Sequence, residues 1–173
     1  IGTLLCLIIA ILLLTIALCS TSWLKTGLFH TGFFQECTSP NEPIHAAPFP
    51  DAPPRGHCQK SRGNGVFAVT AFLLIMALAC TVISTYFHFV GLCQLYFRNK
   101  VSWYQKALKL CGFTILIEII ALVMFPYAFF YIIEEYGTGR VWNVDWAFGV
   151  AWGATFSTTA ASLMLWTLED LYY

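Results

Sequence analysis

The sequence predicts an all-α transmembrane protein, a four-helix bundle with a small extracellular antiparallel β-sheet. Composition is the first observation: 58% of the 173 residues are apolar and only 10% are charged, whereas soluble domains carry about 25% charged residues. The second is the presence of four long apolar runs, each near the roughly 20 residues that cross a bilayer core as a helix. The third is that most charged residues lie between these runs.

The four runs define one domain that comprises residues 1–173. The first run has no charge, is too long for a signal-peptide core and is followed by no cleavage site. The second is also free of charge, and the third contains one intramembrane acid, Glu118. The fourth extends from Trp146 to Trp166. The predicted helices cover residues 1–20, 66–97, 107–133 and 145–167.

Basic residues predict the orientation. Residues 98–106 and the turn after them contain Arg98, Lys100, Lys106 and Lys109 but no acid. An excess of Lys and Arg marks a cytoplasmic loop, so residues 98–106 are predicted to be one. Both termini then face the cytoplasm, and the loops 21–65 and 134–144 lie outside.

The cysteines predict a disulfide between Cys37 and Cys58. These are the two cysteines in the first outer loop, and the other five lie in or at the ends of predicted helices. A pair on the oxidising side of a membrane is most simply a disulfide. Closing this loop should stabilise the fold by roughly 3 kcal/mol in the chain-entropy model.

The rest of the first outer loop predicts a small sheet with an insertion. Residues 26–37 have the Phe, Thr and Gly content of short strands. Six prolines follow within residues 40–54, and proline cannot donate to a sheet ladder, so this segment is predicted to be an irregular flap. The side chains expected to anchor the sheet on the helix ends are Trp23, Leu28, Phe33 and Phe34.

Glu118 is the most unusual residue of the predicted helices. A carboxylate near mid-membrane is costly and is a functional candidate by default. We expect it to be protonated and hydrogen-bonded to hydroxyl groups inside the bundle. A proton relay would need several such groups in series, and only His88 accompanies it, at a different depth.

A stripe of small residues predicts close helix packing on the fourth helix. Its members are spaced four apart, which places them on one face and lets a neighbouring helix approach closely. The neighbour is either a helix of the same bundle or a helix of a second copy. The stripe consists of Gly149, Gly153, Ser157 and Ala161.

No pattern in the sequence predicts catalysis. There is no glycine-rich phosphate loop, no Ser-His-Asp arrangement and no CxxC pair. We therefore expect no catalytic residues, no metal site and no cofactor. Nine basic residues balance nine acidic ones, which argues against nucleic acid as a partner.

The outer loop resembles that of the claudin superfamily of four-helix membrane proteins. That family's loop has a Trp near its start, then Gly-Leu-Trp-x-x-Cys, a second Cys, and an Arg where the loop enters helix two. The corresponding positions here are Trp23, Gly32, Phe33, Phe34, Cys37, Cys58 and Arg62. Phe34 stands where the motif has Trp, and the segment between the cysteines is longer than in ordinary claudins.

The second half resembles the PERP and VAB-type, brain-cell-membrane-protein branch of that superfamily. The similar segments are Ile119–Pro126, Asp145–Thr155 and the acidic, tyrosine-containing tail Leu168–Tyr173. The resemblance implies a non-enzymatic protein of plasma-membrane cell–cell junctions, with membrane lipid and protein partners and a possible homo-oligomer. The claudin-like fold also serves as an auxiliary subunit of ion channels and receptors, which is the alternative.

Overall fold

The computed structural model describes residues 2–41, 52–61, 65–136 and 142–171, and within them the chain is mainly helical. Four helices and a small antiparallel sheet confirm the coarse fold class predicted from the sequence. The helices are α1 (Gly2–Cys19), α2 (Gly65–Cys93), α3 (Phe97–Tyr136) and α4 (Trp146–Leu171). The strands are β1 (Leu24–Thr26), β2 (Phe29–Thr31), β3 (Gln35–Thr38), β4 (Cys58–Lys60) and β5 (Asn143–Val144).

The helices form a bundle in which each has two main neighbours. α2 packs most extensively on α3, α1 packs on α4, and the α3–α4 and α1–α2 contacts close the ring. The sheet lies where α1 ends and α4 begins, which we call the sheet end of the bundle. The opposite end contains the short connection between α2 and α3.

The bundle buries many small and hydroxyl side chains alongside its apolar core, and it also exposes many large apolar side chains on its outer surface. Each helix has a large apolar side chain that is more than half exposed: Leu12, Phe72, Leu116 and Phe156. The fully buried positions include many alanines and hydroxyl residues: Ala10, Ala17, Thr70, Ala77, Ser84, Thr114, Ala121, Ala151, Ala154, Thr158 and Ala161. A water-soluble bundle instead carries charged and polar side chains on its outer surface.

Three helical segments of the described chain are long and apolar enough to cross a membrane: Gly2–Cys19, Phe67–Cys93 and Asn99–Tyr127. The sequence predicted four such segments, and α4 is not among the three. The difference arises because α4 is rich in Gly, Ser, Thr and Trp, which lower its mean hydropathy.

The predicted cytoplasmic loop at 98–106 is helical in the structure. α3 begins at Phe97, ten residues before the predicted start of the third helix at residue 107, and residues 94–96 alone connect it to α2. The physical reason is that Tyr104, Ala107 and Cys111 lie at helical spacing and are all buried. The positive charges therefore lie on a helix surface.

The sheet has the strand order β4-β3-β2-β1-β5, and every neighbouring pair is antiparallel. A tight turn joins β1 to β2, and Gly27 adopts a positive φ of 58° there, which glycine tolerates without steric cost. β5 comes from the connection between α3 and α4 and pairs with β1, Leu24 opposite Val144. The sequence did not predict this strand, which unites the two loops in one sheet.

Gly32 allows the sheet to approach the end of α1. A Cβ atom at this position would lie 2.8 Å from the Thr21 Cα and still closer to the Ser20 carbonyl oxygen. Both neighbouring atoms are backbone, so they cannot move aside as a flexible side chain would. Any side chain at Gly32 must therefore displace the β2–β3 connection from the helix end.

We expect Gly32→Ala to lower the free energy of unfolding by about 1–3 kcal/mol, the usual cost of overpacking. Gly149→Ala is the matched control, because a Cβ there meets nothing within 4 Å. Thermal unfolding in detergent micelles measures the difference. Equal midpoints for the two variants would contradict the close approach.

Candidate functional site

The candidate functional site is the sheet together with the ring of aromatic residues that seats it on the bundle. Trp23, just before β1, is fully buried, and its indole Nε1 donates to the Ala17 carbonyl oxygen of α1 at 2.7 Å. Its ring lies 4.4 Å from that of Phe33 and 4.9 Å from that of Phe125 of α3. The ring of Phe148 of α4 is 6.3 Å away. One side chain thus touches the sheet and three helices.

Backbone hydrogen bonds reinforce this joint. The Trp23 amide donates to the Thr31 carbonyl oxygen at 3.2 Å, and the Trp23 carbonyl oxygen accepts from the Asp145 amide at 3.0 Å. The Ala147 amide, in the first turn of α4, donates to the Ser22 carbonyl oxygen at 3.2 Å. This bond satisfies one of the amide groups that a helix start leaves without an intrahelical partner. The sheet and the start of α4 therefore form one hydrogen-bonded unit.

A disulfide closes the edge of the sheet, as the sequence predicted. Cys37 of β3 and Cys58 of β4 are directly opposite each other in the strand register, and they are bonded with their Cα atoms 4.1 Å apart. β4 would otherwise be a three-residue edge strand after a long connection. The disulfide therefore fixes both the register and the position of the edge strand. The proline-rich flap falls mostly in residues 42–51, outside the described residues.

Two polar contacts within the sheet were not predicted. The His30 Nδ1 of β2 lies 3.1 Å from the Asp145 Oδ2, and these residues are 115 positions apart in the chain. Asp145 also accepts from the Trp146 amide at 2.9 Å, a favourable place for a carboxylate at the start of α4. On the neighbouring strands, Gln59 donates to the fully buried Glu36. No local sequence pattern pairs residues so distant.

The residues of the resemblance motif occupy different environments. Trp23, Gly32 and Phe33 are buried at the joint, whereas the Phe34 side chain is 52% exposed. The prediction that Phe34 anchors the sheet is wrong, because in the bend before β3 Phe33 is turned toward the helices and Phe34 is exposed. Phe29 of β2 instead contributes a fully buried ring. Arg62 lies outside the described residues.

Glu118 lies in the bundle interior with no solvent exposure. Among the described residues, neither of its carboxyl oxygens has a hydrogen-bond partner. The Thr155 hydroxyl approaches the carboxyl group but donates to the Ala151 carbonyl oxygen of its own helix at 3.3 Å. The Thr155 hydroxyl can still accept a hydrogen bond from a protonated Glu118 carboxyl group while it donates to Ala151, so the expected hydrogen bond stays a prediction. Such a carboxyl group costs free energy on folding unless a partner occupies the space beside it.

His88 is the second buried ionisable group of the bundle. Its ring nitrogens also have no hydrogen-bond partner in the described part of the chain, and its ring lies 5.3 Å from that of Tyr104. Ser84 lies between His88 and Glu118 along the length of the bundle. Its hydroxyl donates to the Ala107 carbonyl oxygen at 3.1 Å and lies 2.9 Å from the Cys111 sulfur. These bonds hold α2 and α3 together.

The small residues of α4 mainly face α1. A Cβ at Gly153 would lie 3.6 Å from a methyl group of Leu13, and the Ser157 hydroxyl donates to the Cys6 carbonyl oxygen at 2.9 Å. Ala161 is fully buried. Gly149, by contrast, has open space around it and lies one turn closer to the sheet. Three members of the stripe thus serve packing within the bundle, and the fourth is accessible.

The described residues contain no group of three or more His, Cys, Asp or Glu side chains that could hold a metal ion. No protein-family model matches the chain, and no curated protein sequence is significantly similar to it.

We expect removal of the disulfide to destabilise the sheet. Cys37→Ser or Cys58→Ser releases a connection between residues 21 positions apart, which should cost about 3 kcal/mol in the chain-entropy model and reduce delivery to the cell surface. Cys93→Ser, at an exposed free cysteine, is the control. Surface biotinylation measures delivery, and wild-type levels for both disulfide variants would show that the bond is dispensable.

Glu118→Met should stabilise the bundle by about 1–3 kcal/mol, because its apolar side chain of similar length replaces a buried carboxyl group whose oxygens have no hydrogen-bond partner of good geometry among the described residues. Glu118→Gln keeps a polar group at the same place and should change the unfolding midpoint little. The two variants are compared by thermal unfolding in micelles. A midpoint for Glu118→Met below that of Glu118→Gln would indicate that the carboxyl group makes a favourable contact.

Proposed function

We propose that the chain is an integral membrane protein whose four helices all cross the bilayer. The distribution of side chains supports this, because lipid-facing surfaces favour large apolar groups while helix–helix contacts in membranes favour small and hydroxyl residues. α4 has the same distribution, with Phe156 exposed and Ala154 and Thr158 buried. Its lower hydropathy is compatible with a span that packs closely on α1.

The proposed orientation puts the sheet outside the cell and both termini in the cytoplasm. The positive-inside rule supports it, since Lys100, Lys106 and Lys109 lie at the end of the bundle opposite the sheet. The disulfide supports it independently, because such bonds persist in oxidising compartments. Both arguments favour a sheet on the extracellular side.

The function we propose is non-enzymatic: organisation of cell–cell junctions or adhesion at the plasma membrane. The observation that carries this proposal is the union of both outer loops in one disulfide-closed sheet that is hydrogen-bonded to α4. Such a sheet offers a preorganised surface, and a preorganised surface loses little conformational entropy on binding. The resemblance to the junctional branch of the claudin superfamily adds to this argument.

The alternative is an auxiliary subunit of an ion channel or receptor. Gly149 favours it, because this glycine is exposed and leaves open space beside the first turns of α4, into which a helix of a partner protein can pack. In that case the main contacts would be lateral and within the membrane. The two functions therefore use different surfaces of the same molecule.

The junction proposal predicts where the protein accumulates. The tagged chain, expressed in a polarised epithelium, should concentrate at cell–cell borders together with cadherin-type markers. Expressing and non-expressing cells can be cultured together. If the β-sheets of molecules on neighbouring cells adhere to each other, the protein should be enriched only at borders where both cells express it. Phe34→Ser, at an exposed position of the sheet, should reduce the enrichment, whereas Gly149→Leu should not.

Uniform surface distribution together with co-purification of a pore-forming protein would contradict the junction proposal and support the auxiliary one. If Gly149→Leu abolished this co-purification while Phe34→Ser left it unchanged, the contact with the pore-forming protein would lie on α4.

A further inference from the structure

A shallow groove runs between α2 and α3 at the end of the bundle opposite the sheet. Its volume is about 350 Å³. The groove is open to the outside of the bundle, and its lining combines three apolar side chains with two lysines: Phe87, Lys106, Lys109, Leu110 and Phe113.

Contacts between the two helices fix the position of the groove. Gly91 packs against the Tyr104 ring, and Ser84 donates to Ala107, so this part of α3 runs antiparallel beside the last turns of α2. Phe87 lies between these two levels on α2. The groove is therefore close to the end of α2, where the proposed orientation puts the cytoplasmic boundary of the membrane.

The two lysines are exposed at the groove. The Lys106 Nζ lies 4.3 Å from the centroid of the Trp103 ring, which in turn packs 5.6 Å from the ring of Phe87. This stacking holds the Lys106 ammonium beside the apolar wall. The apolar stem of a lysine can follow such a wall while its charge stays at the polar boundary.

The two helix segments that form the groove carry basic residues and no acidic ones. Residues 80–117, which include both helix segments that form it, contain no Asp or Glu. The basic residues of this stretch are Arg98, Lys100, Lys106 and Lys109. An apolar cleft with cations at one end is complementary to a molecule that has an apolar chain and an anionic head.

We propose that this groove binds an anionic phospholipid of the cytoplasmic leaflet. One acyl chain lies along Phe87, Leu110 and Phe113, and the phosphate with its anionic head group pairs with Lys106 and Lys109. Basic sites between helices at the cytoplasmic boundary suit such head groups. A second copy of the chain fits less well, since two such faces would oppose like charges. The site rests on the proposed membrane embedding.

The test uses the purified chain in detergent micelles and native mass spectrometry. The probes are phosphatidylserine, phosphatidylcholine with the same acyl chains, and glycerophosphoserine, which has the head group without the chains. We expect phosphatidylserine to bind more tightly than phosphatidylcholine. The double substitution Lys106→Gln and Lys109→Gln should weaken phosphatidylserine binding by about 30-fold and should weaken the binding of phosphatidylcholine, which has the phosphate but no net charge, much less.

Two controls keep the test specific. Lys106→Arg with Lys109→Arg retains the charges and should retain binding. Lys25→Gln with Lys60→Gln removes two exposed lysines of the sheet and should have no effect. Phe87→Ala, which removes an apolar wall, should weaken the binding of phosphatidylserine.

Three results would overturn the site. These are equal binding of the two phospholipids, unchanged phosphatidylserine binding in the glutamine variant, and glycerophosphoserine binding as tight as that of the whole lipid. Extraction of cell membranes with alkaline carbonate distinguishes a failure of the lipid site from a failure of the proposed membrane embedding. Release of the chain by carbonate contradicts both proposals, whereas an integrated chain that lacks lipid selectivity contradicts the lipid site alone.

Discussion

The packing of Trp23 is the interaction on which the rest of the structure depends. Its indole N–H bonds to the last turn of α1, its ring contacts Phe33, Phe125 and Phe148, and its backbone bonds to β2 and to Asp145. A short five-stranded sheet has little core of its own, so its stability comes from packing on the helices. Because Trp23 lies at the point where the sheet, α1, α3 and α4 meet, it makes the sheet a continuation of the bundle and gives the bundle two different ends.

The two ends differ in chemistry, and the interior between them differs from that of a soluble protein. The sheet end has a disulfide and polar cross-strand contacts, whereas the opposite end has a cluster of lysines on a helix surface. Alanine and hydroxyl side chains between them allow the helices to approach closely, and many large apolar side chains face outward. Glu118 and His88 are the exceptions in this interior, since burial removes them from water without supplying hydrogen-bond partners among the described residues.

Much of this architecture could be predicted from the sequence, because apolar length and cysteine placement are local signals. The helices, the Cys37–Cys58 bond and the burial of Trp23 all followed from such signals. The helical state of residues 98–106 did not, because a cluster of basic residues suggests a loop while the burial of Tyr104 depends on α2. The pairing of β5 with β1 and the contact between His30 and Asp145 join segments more than a hundred residues apart, which no local pattern encodes.

The central claim is that four helices cross the membrane and the sheet lies outside. Mapping with glycosylation acceptors tests it most directly, because the sequence contains no Asn-x-Ser/Thr acceptor of its own. One acceptor is created in the exposed loop before β4 by Arg55→Asn with His57→Thr, and another is placed in a tag appended after residue 173. The account predicts glycosylation of the loop and not of the tag. Glycosylation of both would mean that α4 does not cross, and glycosylation of the tag alone would reverse the orientation.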